Sequence, residues 1–461
     1  MATEYWTGLL RNVFAGRKVI VTVEVLAAST ATVAAVRELG AVAVLVVATN
    51  GRGAGPIPGP KDATVVMGSA VAFGALAMIR AGHEALAKPS AEIRAAVEAF
   101  DPAGGALCVG GFTNEHAALL GRPFLGFRRP EWVALEDKTT CDALWDRVGV
   151  ARVPSYMAPL DPVPTERNVV WAGDNREGFH GGAEGIRWIR TDADAAAAAQ
   201  ELRELCDSVR IMPFLEGVPC SIHGIVFPDY VATLRPIEMI TLRRPVDHAQ
   251  AHHFVYAGCA SFYDPRPIRR SEMREVALRV GRALRAEVGF RGAFTVDGVM
   301  TVDGFRPTEL NPRPGAGLNV LRGPLGSFPL LLALDAIVAG LDVDWRPREL
   351  EAELVRAADD ERGGGTWRMV SAEVDEAERH LLLSPSPRWA LDDEPHDVTV
   401  EVGSSGSVAF LRSTAVPGRV PVGASFAPTA VAIWEFLDRE LHLGFGPVLA
   451  CHPSEDADGR R

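Results

Sequence analysis

The stretch Phe294–Gly317 limits the fold of this chain more than any other, because two runs of alternating apolar residues meet at the dipeptide Asp303-Gly304. A period of two fits strands with one buried face, and Asp-Gly between two such runs is a strong signal for a tight hairpin. Asp297 and Glu309 therefore fall on neighbouring antiparallel strands, with Glu309 and Asn311 on one face and Arg313 continuing it. A hard cation such as Mg2+ or Mn2+ takes a few carboxylate oxygens and completes its shell with water and phosphate, so Asp297, Glu309 and Asn311 form a candidate metal set. Arg313 adds a planar fork of donors for an anionic oxygen. A single surface acid would carry no such meaning. The ordered set on one hairpin points to a site for a metal-bound triphosphate.

This hairpin resembles the metal-binding strands of the ATP-grasp superfamily, in which an acidic residue and then Glu-x-Asn, often followed by x-Arg, hold magnesium and ATP. Other stretches extend the resemblance over roughly residues 131 to 340. Glu131 to Gly149 predicts a helix closed by Gly149, followed by an extended segment marked by Pro154. It is similar to the first ATP-grasp subdomain, where an Asp-Lys pair opens a helix and the lysine contacts ATP phosphate. That implies the role for Lys138. Of 47 basic residues only four are lysines, at 18, 61, 88 and 138, so a retained compact ammonium at 138 stands out in an arginine-rich chain.

Val169 to Ile189 has the order strand, glycine-rich loop, strand. Glycines let backbone N–H groups approach phosphates, and such a loop can close as a lid. The resemblance implies a second phosphate-binding lysine on the first strand, but Trp171 stands at the matching place and no lysine is near. Arg176 or Arg187 are the substitutes on offer, with His180, Gly181 and Gly182 at the loop. The run Val209 to Phe227 resembles the adenine hinge. There Met212, Phe214 and Leu215 are expected to meet the base and Glu216 the ribose, although the family more often has its Glu after the glycine, where this chain has Pro219. Val231 to Arg244 reads as one strand aimed at the phosphates, which makes Arg235 and Glu238 substrate candidates beside Arg313. A charged edge strand is the competing reading.

Ahead of this region, Lys18 to Val25, Thr30 to Leu39 and Ala41 to Ala48 give a βαβ opening. Thr64 to Met67, helices through Ala87 and from Ala91 to Phe100, and a strand Ala106 to Val109 continue a doubly wound α/β unit. Its loop Asn50–Gly55 precedes no obvious helix and lacks dinucleotide-binding glycine order, so it reads as a surface loop and not as a coenzyme site. Ala358 to Gly365 resembles a linker, and short strands plus a helix near Thr429 to Leu441 follow it. The expected organisation is an open α/β domain over 1–130, an ATP-grasp domain over 131–341 with a lid subdomain at about 166–210, and a small α+β appendage over 342–461. That appendage could complete the substrate pocket or an oligomer interface, a homodimer included.

The net charge of -12 argues against a nucleic-acid or acidic-membrane surface, since phosphate backbones are bound by excess Lys and Arg. Glu24 interrupts the first apolar run, so a signal peptide or membrane helix does not fit, and a cytoplasmic protein is expected. Six scattered cysteines fit reduced, buried thiols, with no assigned chemistry. The resemblance implies an ADP-forming carboxylate-amine ligase using ATP and Mg2+ or Mn2+. In such an enzyme a carboxylate becomes an acyl phosphate and an amine captures it, here with an amino acid or small peptide in a specialised pathway expected. A nucleotide-binding regulator with the same fold is the alternative, and a purine-pathway ligase remains open on fold alone.

Overall fold

The computed structural model describes residues 2–451 apart from 69–71, 73, 174–180, 182, 323–327, 393, 395 and 406–407. The first unit is a four-stranded parallel sheet in the order Thr64–Met67, Ala43–Ala48, Lys18–Val23, Leu107–Val109. Its two central strands, Lys18–Val23 and Ala43–Ala48, are largely apolar because both of their faces are covered, while the edge strand Thr64–Met67 is mostly exposed. Val19 and Val21 face a core with Val33 and Val36, while Ile20 packs with Ile93 and Val97 on the other side. The sequence reading did not assign the helix Ala2–Phe14. Its Trp6, Leu10 and Phe14 repeat every fourth residue and are all buried, and Trp6 donates to the carbonyl of Trp345 at 2.7 Å.

The second unit is a small antiparallel sheet ordered Tyr156–Pro159, Ser208–Pro213, Val169–Ala172, Ile186–Ile189, backed by the helix Asp192–Leu202. Thr191 and Asp194 form a reciprocal capping box that starts this helix. The third is a long antiparallel sheet. It runs from the hairpin Gly304–Asn311 and Gly292–Thr301 through Val218–Val226, Ile237–Arg243 and Phe254–Ala260 to Gly364–Val370 and Val408–Ala415, and onward. The helix Pro267–Val288 buries Met273, Ala277 and Val280 beneath the hairpin end.

Four sequence expectations change. The helix expected over Glu131–Gly149 is broken into Pro130–Val133 and Cys141–Arg147, because the Asp137 carboxylate accepts from the backbone and hydroxyl of Thr139 and stops the first piece. The strand expected over Val231–Arg244 is split into Val231–Thr233 and Ile237–Arg243, with Pro236 unable to donate to a ladder. The covering helix expected over Asn319–Leu334 is described as Gly317–Arg322 and Leu330–Val338, with Pro329 before the second.

The fourth concerns the supposed linker. Residues after 342 do not form a separate sheet, since Gly364–Val370 pairs with both Phe254–Ala260 and Val408–Ala415. Gly365 lies inside that strand, where an added Cβ would stand 1.9 Å from the Ser413 carbonyl oxygen. The glycine run permits close strand approach; it is not a flexible connection. No helix among the described residues is long and apolar enough to cross a membrane.

Candidate active site

A cavity of about 650 Å3 lies between the small antiparallel sheet and the long one, and the hairpin Gly292–Thr301 and Gly304–Asn311 forms part of its floor. The hairpin pairs Asp297 directly with Glu309 and Thr295 with Asn311, whereas an unbroken register from the turn at Val302-Asp303 would have set Asp297 opposite Thr308. A register shift after Asp297 marks a bulge, which keeps both carboxylates turned to the cavity. The Asn311 amide donates to Asp297 Oδ2 at 2.8 Å and the Ser221 hydroxyl to Asp297 Oδ1 at 2.6 Å. Enclosure by protein, together with the facing Glu309, pushes the Asp297 carboxyl up to about 7. Two carboxylates held this close fit a hard divalent cation as donors.

Lys138 Nζ lies 3.0 Å from Glu309 Oε1. It sits in the break between the two short helices, so the turn that ended the expected helix is what directs the ammonium inward. Arg313 donates through Nη2 to the side-chain Oδ1 of Asn311 at 2.9 Å and, through Nε, to Glu136 Oε1 at 2.6 Å. Glu136 is fully buried and also holds Arg128 at 2.9 Å. Sequence reasoning missed Glu136, whose role depends on a helix break no local pattern announced.

Met212, Phe214 and Leu215 line the cavity, but Glu216 is exposed and outside its wall. The Phe214 N–H donates to the Asn168 carbonyl at 3.1 Å, so the main-chain donor expected there is already used within the small sheet. Phe214 instead offers its ring, stacked on Trp188 at 4.2 Å and 16°, with the Phe254 ring nearly parallel to both. Trp188 and Phe254 carried no signal in the sequence that separates them from ordinary core.

Val170 and Ala172 face the cavity while Trp171 between them is buried in the core beneath the small sheet. Arg187 is also turned away, buried against Glu201 at 2.8 Å. The cation nearest in register is Arg210, paired across the ladder with Ala172, lining the cavity and bound by both oxygens of Asp142 at 2.9 and 2.6 Å. Arg176, His180 and Gly182 lie outside the described residues, and Gly181 is buried away from the cavity wall. Glu184 does line it, and its ion pair with Arg80 at 3.0 Å ties the small sheet to the first unit.

The expected substrate residues Arg235 and Glu238 are placed elsewhere. Arg235 is buried and paired with Asp264 and Asp359 at 2.6 and 2.8 Å. Glu238 is fully buried and accepts from Ser425 Oγ, Phe426 N and Ala427 N, holding the start of the helix Ala427–Leu441. The break at Pro236 separates Arg235 from the second strand, on which Met239 and Thr241 face the cavity and Glu238 points to the opposite side.

Burial pushes the Glu238 carboxyl up to about 7 despite those hydrogen bonds, which pull it down. The folded chain thus keeps a proton that the unfolded chain releases near 4.5. Stability from this group is complete below about 4.5 and is lost as pH rises through about 7. Wild type is expected to lose on the order of 3 kcal/mol relative to Glu238→Gln across that window in denaturant unfolding. Parallel stability curves for the two proteins would contradict it.

The far wall belongs to the C-terminal segment, where Trp367, Arg368 and Met369 meet Tyr256 and Met239. Arg368 donates to the Tyr256 carbonyl at 3.2 Å and stacks on Phe445, while its Nε is buried with no hydrogen-bond partner among the described residues. Burial, helped by Arg244, pushes its guanidinium down to about 10. On the same cavity, His223 shares Nδ1 with Thr295 Oγ1 at 2.8 Å, and its buried Nε2 has no partner among the described residues. Cys220 is fully buried and burial raises its thiol pKa, which rules out an exposed thiolate nucleophile.

An open α/β unit, a small antiparallel lid sheet and a long antiparallel sheet closing on one cleft together make the ATP-grasp fold of biotin carboxylase domains. Among solved structures, the chain is similar to Rhizobium etli pyruvate carboxylase T882A, with 17% identity, a TM-score of 0.56, and coverage of 94% of this chain. It spans only 38% of that enzyme's length. It is also similar to the biotin carboxylase domain of Hydrogenobacter thermophilus 2-oxoglutarate carboxylase, solved with MgADP, ADP and bicarbonate. There the identity is 15%, the TM-score 0.54, and coverage 88% of this chain and 86% of that one. At such identities the likeness shows the fold alone. No protein-family model matches the sequence, and no curated protein matches it significantly.

Proposed function

We propose that this protein is an ATP-dependent, ADP-forming ligase that joins a carboxylate to an amine, an amino acid or small peptide being the favoured partner. The observation that carries the reading is the convergence of Asp297, Glu309, Asn311 and Lys138 on one face of one cavity, with Lys138 Nζ 3.0 Å from Glu309. Mg2+ or Mn2+ held by Asp297, Glu309 and Asn311 would neutralise charge on the triphosphate. Lys138 supplies a second positive charge at the phosphates, and Arg210 is the cation placed to do the work of the missing second lysine. Phe214 and Phe254, whose near-parallel rings line the cavity, offer a flat face to the base, with Trp188 stacked on Phe214. The biotin carboxylase domain with the same fold holds MgADP and bicarbonate, which supports a nucleotide and a small carboxylate here.

At the metal end of the cavity, Arg313 is aimed to hold a substrate or intermediate oxygen, fixed by Glu136 behind it. At the opposite end, the part-buried Arg368 guanidinium lines the cavity, and a second carboxylate is the group it would bind. Trp367, Met369 and Met239 give the same end an apolar wall. A substrate with one carboxylate near Arg368, an apolar side chain and a reacting group near Arg313 fits those walls. Arg368→Gln is expected to raise KM for that substrate about 100-fold with a smaller change for ATP. Equal KM values in steady-state kinetics would remove Arg368 from the substrate site.

The test of the whole reading is coupled ADP release with a panel of carboxylates and amines, bicarbonate included, followed by mass spectrometry of the product. ATP binding without amine-dependent ADP release would favour a nucleotide-binding regulator.

A further inference from the structure

We propose that Glu201, His252 and His253 form a zinc-class transition-metal site that pins the lid sheet to the long sheet. Glu201 lies in the last turn of the lid helix Asp192–Leu202, and the two histidines immediately precede the strand Phe254–Ala260 of the long sheet. His252 Nε2 lies 3.1 Å from Glu201 Oε1 and His253 Nε2 lies 2.9 Å from Glu201 Oε2. All candidate ligand atoms fall within 4.8 Å of one another. Zinc bonds of roughly 2.0–2.2 Å in a tetrahedral site put ligand atoms about 3.3 Å apart, so the two histidine–carboxylate spacings are already near that value and the widest pair of ligand atoms has to close by at most about 1.5 Å.

The chemistry of the set selects the ion. Two imidazoles and one carboxylate suit zinc and its first-row neighbours, whereas the all-oxygen set on the hairpin suits magnesium. Burial, with Arg187 nearby, pushes the His253 ring down to about 4, so its nitrogen lone pair is unprotonated at neutral pH. Arg187 Nε donates to Glu201 Oε2 at 2.8 Å, an outer partner that orients the carboxylate and can stay in place when an ion binds. Glu201 remains 38% exposed and His253 borders the cavity, which leaves room for a water or substrate atom to complete the shell.

The position gives the site a mechanical role. The two sheets already touch here through the Trp188 N–H, which donates to the His252 carbonyl at 2.9 Å, and through the bridge between Arg187 and His253. Trp188 stacks on Phe214, and both rings lie nearly parallel to Phe254. An ion bound next to it would hold the lid strand against that stack. Metal binding here does not depend on what reaction the cavity supports.

The test uses the full-length chain, stripped with a chelator and titrated with Zn2+ against a competing indicator dye. One ion bound per chain with a Kd below about 1 µM is expected. Because losing an outer-shell partner alone costs about 10- to 100-fold, His253→Ala is expected to weaken binding by about 100-fold or more, and Asp297→Asn to leave it unchanged. A wild-type Kd above about 10 µM, or equal affinity in wild type and His253→Ala, overturns the site. Co2+-loaded wild type gives a readout independent of any variant. Visible ligand-field bands without a thiolate charge-transfer band are expected, and a thiolate band would move the ion to a cysteine such as Cys451 and overturn the assignment.

Discussion

Glu309→Gln is expected to reduce ATP-dependent ADP formation by about 100-fold or more while leaving the fold intact, since removing one well-placed charge-stabilising group costs on that order. The change keeps shape and hydrogen-bonding capacity but removes the carboxylate that faces Asp297 across the hairpin and sits 3.0 Å from Lys138. Lys138 is largely buried, so loss of its counter-ion would be costly if nothing replaced it. Asp297 provides the replacement. Its carboxyl is pushed up by enclosure and then by the charge on Glu309, and with that charge gone it ionises more readily beside the ammonium. The thermal midpoint should therefore move little while turnover collapses. Unchanged ADP release in the coupled assay would remove the hairpin from the chemistry.

What the sequence disclosed follows the range of the interactions involved. The two strands of the hairpin were legible because the period-two pattern and the Asp-Gly signal lie within a score of residues, whereas the bulge that sets Asp297 opposite Glu309 was not. Lys138 was legible for a different reason, as one of four lysines in a chain that otherwise uses arginine. Glu136 and Arg368 were not, because their meaning comes from partners far away in the chain: Glu136 reaches Arg313, and Arg368 meets Tyr256 and Phe445. Arg235 and Glu238 misled for a third reason. The break before Ile237 separates Arg235 from the strand, and alternation there turns Met239 and Thr241 to the cavity and Glu238 away from it. The glycines at 363–365 misled because glycine serves both loose connections and tight strand crossings, and only the Ser413 carbonyl against Gly365 decides between them.

Glu136→Ala is expected to produce the largest loss of stability of any single change at the site, about 3–5 kcal/mol. The carboxylate is completely enclosed and one of its oxygens lies 2.9 Å from Arg128 and 2.6 Å from Arg313. Truncation leaves two guanidiniums facing each other in a space built for a negative charge, while Arg128 keeps its pair with Glu115 at 3.1 Å. Burial already pulls the Arg128 pKa down, with Glu136 the principal opposing influence, so the balance there is close before the change is made. Adding Arg313→Met to Glu136→Ala should recover part of the loss, because it removes one of the two stranded cations; a double-mutant cycle in denaturant unfolding measures that coupling. Additive losses would mean that Glu136 acts by filling space, with its charge irrelevant. Recovered stability without recovered ADP formation would separate the two jobs of Arg313, structural through Glu136 and chemical through the cavity.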